Sequence, residues 1–186
     1  MTLAVGVPAE DIGSLRDAGA AYLFRGEDQL PPPQQWSISQ DTEGVEGTAE
    51  AGDRFGAVVA HDDWWHEGFG QPTVVSVPGE DIGAATDTGA AQVFGTLGTG
   101  PGDGDIFLDQ AAVGESPETG DRFGAAFLMG YVHLYIGAPD DATYPTGVVH
   151  GISWSTLSGI PTPHLRFAPG IEGAPTGASR FGAGLA

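Results

Sequence analysis

Apolar residues fall along this 186-residue chain in short runs, and Gly, Pro, Asp or Ser closes almost every run within a few positions. Runs of this length between turn formers predict strands. Twelve are expected: Leu3–Val7, Ala20–Phe24, Trp36–Ser39, Phe55–Ala60, Thr73–Val77, Ala90–Phe94, Ile106–Leu108, Phe123–Leu128, His133–Gly137, Val148–Ser153, Leu165–Ala168 and Phe181–Leu185. Several are too uniformly apolar or small to have one wet face, which suits sheets packed face to face. Spacing of the i, i+3, i+4, i+7 kind is scarce, and Gly or Pro interrupts nearly every candidate helix. The pattern alone predicts an all-β fold.

The runs repeat. Gly-Asp-Arg-Phe-Gly-Ala occurs at Gly52–Ala57 and Gly120–Ala125, and a worn copy stands at Ser179–Ala183. Interleaved with it, Val5–Gly13 returns as Val75–Gly83, each copy running on to Asp-x-Gly-Ala-Ala and a Phe. Residues 5–24 and 75–94 match without gaps at 12 of 20 positions. Repetition of this kind marks a unit that buries its apolar face only by stacking on copies of itself. Phe55, Phe123 and Phe181 lie 68 and 58 residues apart, and each interval holds four expected strands, the content of one propeller blade.

These motifs resemble the FG-GAP repeat of integrin-α-type β-propellers, above all the tandem forms in secreted bacterial proteins. Phe55-Gly56, Phe123-Gly124 and Phe181-Gly182 correspond to the FG, and Gly137-Ala138-Pro139 to the GAP, with Gly6-Val7-Pro8 and Ser76-Val77-Pro78 as variants. The resemblance implies a partial β-propeller of about three four-stranded antiparallel blades. Residues 1–51 would form an incomplete first blade, 52–119 the second, 120–177 the third, and 178–186 the opening strand of another. A Phe opening an inner strand would fill the space between blades, and the Gly after it would let backbones approach. Propellers close with about four to eight blades, so the expectation is a homodimer or a piece of a longer array with flanking blades.

The same resemblance implies a non-catalytic binding or adhesion module at the cell surface or outside the cell, with a protein or a carbohydrate as ligand. The alternative it implies is an accessory propeller of a secreted, phospholipase-type hydrolase. No Gly-x-Ser-x-Gly elbow, His-Glu-x-x-His, Walker loop or dinucleotide fingerprint is present, so no catalysis is expected.

Composition narrows the partners. With 25 acids against 6 Lys plus Arg, the formal charge is −19, which repels phosphate backbones and argues against nucleic acid. No run approaches the roughly 18 apolar residues of a membrane span, and the first residues lack the basic start of a signal peptide. Without cysteine there is no disulfide from which to read a compartment.

Calcium is the cofactor that the resemblance suggests, held between the FG and GAP strands by alternating acids, since Ca²⁺ takes about six to eight oxygens from a tight turn. The first such loop reads His61-Asp62-Asp63-Trp64-Trp65-His66-Glu67, and the next passes through Met129–Val132 without an acid. Both depart from the family pattern. What remains is a degenerate set, Asp62, Asp63 and Glu67, with His61 and His66 beside it as transition-metal donors. Asp103, Asp105 and Asp109 form a second acidic stretch, read as a solvated turn. The paired acids Glu10-Asp11 and Glu80-Asp81 are read as loop caps facing solvent. Trp64 and Trp65 are the candidate ligand-contact residues, because aromatic loop tips stack on sugars or anchor protein partners.

Overall fold

A computed structural model describes residues 2–26, 34–66, 68–95, 105–157, 164–171, 176–177 and 179–185. Among them are eleven strands: β1 Thr2–Val7, β2 Ala20–Arg25, β3 Gln34–Ile38, β4 Val59–His61, β5 Thr73–Val77, β6 Ala90–Phe94, β7 Ile106–Leu108, β8 Ala126–Met129, β9 His133–Ala138, β10 Val148–Ser153 and β11 Leu165–Phe167. They form three antiparallel meanders, β1-β2-β3, β4-β5-β6-β7 and β8-β9-β10-β11. The all-β expectation holds. Among the described residues, helix is confined to a 3-10 turn at Gln110–Val113 and to α1, Trp154–Leu157. The helical turn begins at Trp154, directly after the strand expected and found at Val148–Ser153.

The chain changes direction where side-chain oxygens can cap it. In the β1–β2 connection Asp11 Oδ1 accepts the Asp17 N–H at 3.0 Å, and in β5–β6 Asp81 Oδ1 accepts the Asp87 N–H at 2.8 Å. Asp17 and Asp87 then take the same left-handed backbone, φ 52° and 51°, a conformation that Asp tolerates better than most residues. The expected loop caps are these two. Glu80 differs from the expectation. It is only 6% exposed, and it accepts a hydrogen bond from Gln40 Nε2 at 2.6 Å across the junction between the first two sheets.

Neighbouring sheets are stitched by backbone. The Arg54 and Phe55 N–H groups of the first Phe-Gly turn donate to Asp17 and Ala18 carbonyls, at 3.0 and 2.9 Å. The Arg122 and Phe123 N–H groups repeat this on Asp87 and Thr88, at 3.2 and 2.9 Å, and the Phe181 N–H donates to Thr146 at 2.7 Å. At two of the crossings a side chain has no room: a Cβ on Gly6 would lie 1.8 Å from the Gly56 carbonyl oxygen, and one on Gly137 2.0 Å from that of Gly182. At the middle junction Ser76 occupies the place of Gly6 and Gly137, and its hydroxyl accepts the Val58 N–H at 2.6 Å.

Two apolar clusters fill the junctions. Leu23, Ile38, Phe55, Val75 and Phe94 lie between the first and second sheets. Phe123, Phe127, Val93, Leu134, Ile136 and Trp154 lie between the second and third. Phe55 and Phe123 are fully buried, as a wedge between stacked sheets requires. They do not open strands, however. Each sits in a turn held by a left-handed Arg, and the strand starts several residues later, at Val59 or Ala126. Phe181–Leu185 forms the same turn and no strand, because among the described residues no neighbouring strand pairs with it.

Candidate functional site

The β4–β5 connection is organised around the pair of buried His66 and partly buried Asp62. Asp62 Oδ1 accepts the Trp64 N–H at 2.9 Å, and Asp62 Oδ2 lies 2.9 Å from His66 Nε2. His66 is buried, with its ring centroid 4.4 Å from that of Trp154; Phe69 packs on the same indole at 6.0 Å. Trp154 in turn reaches the β8–β9 connection, donating from Nε1 to the Gly130 carbonyl at 2.9 Å and from its backbone N–H to Val132 at 3.1 Å. The two loops are thus fastened to one indole. With His66 and Phe69 turned inward, Trp64 and Trp65 project outward, each 73% exposed, while Tyr131 on the companion loop is 82% exposed.

The expected metal ligands among the described residues have partners within the protein. Asp62 accepts from the Trp64 N–H and lies against His66. Asp63 Oδ1 lies 3.3 Å from His61 Nε2, whose other ring nitrogen is 3.0 Å from Thr73 Oγ1. His61 and His66 hold separate partners and do not converge. Glu67 lies outside the described residues, as does Asp103. Asp105 accepts the Glu46 N–H at 3.2 Å and Asp109 caps the 3-10 turn, so each anchors backbone. Among the described residues, the only grouping of three metal-ligating side chains is elsewhere, at Glu115, Asp141 and His150.

At the opposite end of β4 and β8, where the Phe-Gly turns lie, a cavity of about 320 Å³ collects Arg54, Arg122 and Arg180. These are half of the chain's six cationic side chains. Asp140 Oδ2 sits 2.9 Å from Arg180 Nη2 and 3.5 Å from Arg122 Nη1. Ion pairs this exposed are worth little to stability, about 0–1 kcal/mol.

Two buried acids belong to the junctions. Burial pushes the carboxyls of Asp53 and Glu80 up to about 7; the hydrogen bonds from the Glu50 N–H and from Gln40 oppose the shift, and neighbouring acids add to it. Asp121 repeats the Asp53 role, accepting the Glu118 N–H at 3.2 Å and the Ala142 N–H at 2.9 Å. The recurrence of Asp inside both Gly-Asp-Arg-Phe-Gly copies was the available signal for these residues. Trp154 carried none, since it lies in no repeated motif.

Against models of known protein families the chain matches none, and a search of curated proteins finds no match. Among the described residues, no helix is long and apolar enough to cross a membrane.

Proposed function

We propose that this protein is a non-catalytic binding module that engages a basic partner protein through its aromatic loop end, its three sheets acting as blades of a partial FG-GAP-type β-propeller. The observation that carries the reading is the outward display of Trp64, Trp65 and Tyr131 from two loops fastened to the buried Trp154. Exposed indoles cost solubility unless they are used, and Trp and Tyr are the commonest interface anchors. Their rim is acidic: Asp63 is largely exposed beside them, and the whole chain carries −19. Such a surface attracts a partner of opposite sign and speeds its encounter. Rigid support below the tips lowers the ordering cost of binding. The repeat motifs and the stacked meanders support the propeller, and the extracellular setting rests on the resemblance.

The test is binding of the intact chain to immobilised panels of basic proteins and of neutral glycans, for wild type and the Trp64→Ala/Trp65→Ala double variant. Salt-sensitive capture by basic proteins, lost in a variant that melts like wild type, is the expected result. Glycan capture instead would replace the protein partner with a carbohydrate. Binding that survives the double substitution would overturn the site.

A further inference from the structure

The internal repeat supplies its own comparison at the sheet junctions. In the second sheet Gln92 pairs across β5 with Val75, and in the third His150 pairs across β9 with Ile136, so the two occupy the same register position. Glu80 and Asp141 each lie two residues after the Pro that ends β5 or β9. Each accepts from a Gln of the preceding repeat, Gln40 Nε2 at 2.6 Å and Gln110 Nε2 at 3.0 Å. The second-sheet junction is thus one acid with amides, and Gln92 donates to the Glu46 carbonyl. In the third, an imidazole replaces the amide and a second carboxylate, Glu115, faces it.

The substitution leaves atoms unused. His150 is fully buried, and neither ring nitrogen has a hydrogen-bond partner. Glu115 Oε2 is also buried without one. The two face each other, Nε2 to Oε2, at 3.5 Å, too long for a good hydrogen bond. Buried polar atoms normally find partners, so a pair of orphans aimed at each other calls for a third group between them. Glu115 is held from behind: Arg166 Nη2 takes Oε1 at 3.0 Å, which leaves Oε2 free.

We propose that Glu115, Asp141 and His150 bind a divalent transition-metal ion, with Zn²⁺ as the reference case. Their donor atoms all lie within 4.8 Å of one another. Around a tetrahedral ion with bonds of about 2.0–2.2 Å, adjacent donors stand about 3.3–3.5 Å apart, the separation already found between His150 and Glu115. Small side-chain rotations close the remaining gaps. One imidazole with two carboxylates suits Zn²⁺ or a similar ion better than Ca²⁺, which prefers oxygen alone. Outer partners are in place, because Gln110 Nε2 and the Tyr144 N–H, at 2.7 Å, orient Asp141. Three protein donors leave a fourth position for water. The site lies away from the β4–β5 loop and does not depend on the binding role of its tryptophans.

The experiment uses the full chain, stripped with chelator, then titrated with Zn²⁺ and separately with Ca²⁺ by calorimetry. One equivalent of Zn²⁺ taken up at micromolar affinity or better, with a melting temperature that rises and falls again on chelation, is expected. His150→Gln installs the residue that the second sheet carries at this position, so it should fold while losing uptake. Gln110→Ala should weaken affinity about 10–100-fold. Glu115→Gln, at the margin of the site, is the second ligand variant. Should both ligand variants misfold, the ¹⁵N resonances of the wild-type His150 ring still report, and they must shift on adding Zn²⁺. No stoichiometric uptake, a static His150 ring, a ligand variant that binds like wild type, or preference for Ca²⁺ would overturn the proposal.

Discussion

Replacing Phe123 with Ala removes the wedge between the second and third sheets. The ring is 0% exposed, packs within the larger apolar cluster, and lies 5.9 Å from the His150 ring. An aromatic side chain of this kind buries about 150–250 Å², worth roughly 4–6 kcal/mol at about 25 cal/mol per Å². Alanine keeps part of that burial and the unfolded chain is not fully extended, so the expected loss is about 3–5 kcal/mol. The backbone stitch from the Phe123 N–H to Thr88 survives the substitution, which isolates the packing contribution. Trp64, 73% exposed, is the matched control. Its removal should cost less than about 1 kcal/mol, as surface substitutions do. Urea titration followed by circular dichroism reads both, and Phe123→Ala should also lower the melting temperature by about 10 °C for a chain of this length. Equal losses from the two variants would refute the assignment of Phe123 to the core wedge and of Trp64 to the surface.

Two further perturbations follow from the junctions. A carboxyl raised on folding, like Glu80 at about 7 against 4.5, binds its proton more tightly in the native state. Its contribution is therefore present below pH 4.5 and lost as pH rises through about 7. Glu80→Gln keeps an acceptor for Gln40 and removes the charge, so it should be neutral near pH 4.5 and stabilise by about 1–3 kcal/mol at pH 8. Denaturant midpoints of variant minus wild type across that range are the measure. Subtraction cancels the opposite contribution of His150, which burial holds down to about 4. Gly137→Ala would place a Cβ 2.0 Å from the Gly182 carbonyl. It should cost about 1–3 kcal/mol and release the last Phe-Gly turn, seen as new proteolytic cleavage near Arg180. A variant as stable and protease-resistant as wild type would show that the turn does not dock there.

The sequence by itself determined the strands and their spacing. Short apolar runs between turn formers placed eleven of the expected strands among those observed, because strand signals are local: an alternating or apolar run, then a residue that cannot continue the ladder. Repetition singled out the buried Phe55 and Phe123, since a wedge must recur wherever the unit recurs. Local signals could not show where a strand begins after a Phe-Gly turn, because that depends on which backbone groups the preceding sheet offers. They also predicted a strand at Phe181–Leu185, which no strand pairs with among the described residues.

Only the tertiary structure decided which polar residues face inward. Glu80 and Asp81 are adjacent acids in one turn, yet one is buried against Gln40, forty residues away, and the other caps its own loop. Asp62 reads as a degenerate metal ligand from sequence, and the fold sets His66 beside it at 2.9 Å. The Trp64–Trp65 pair became a displayed surface because Trp154, remote in sequence and outside every motif, anchors the loop beneath it. Glu115, Asp141 and His150 come from three different segments, so no spacing along the chain could unite them. Burial and partnership depend on what the stacked sheets bring together, and that information is not local.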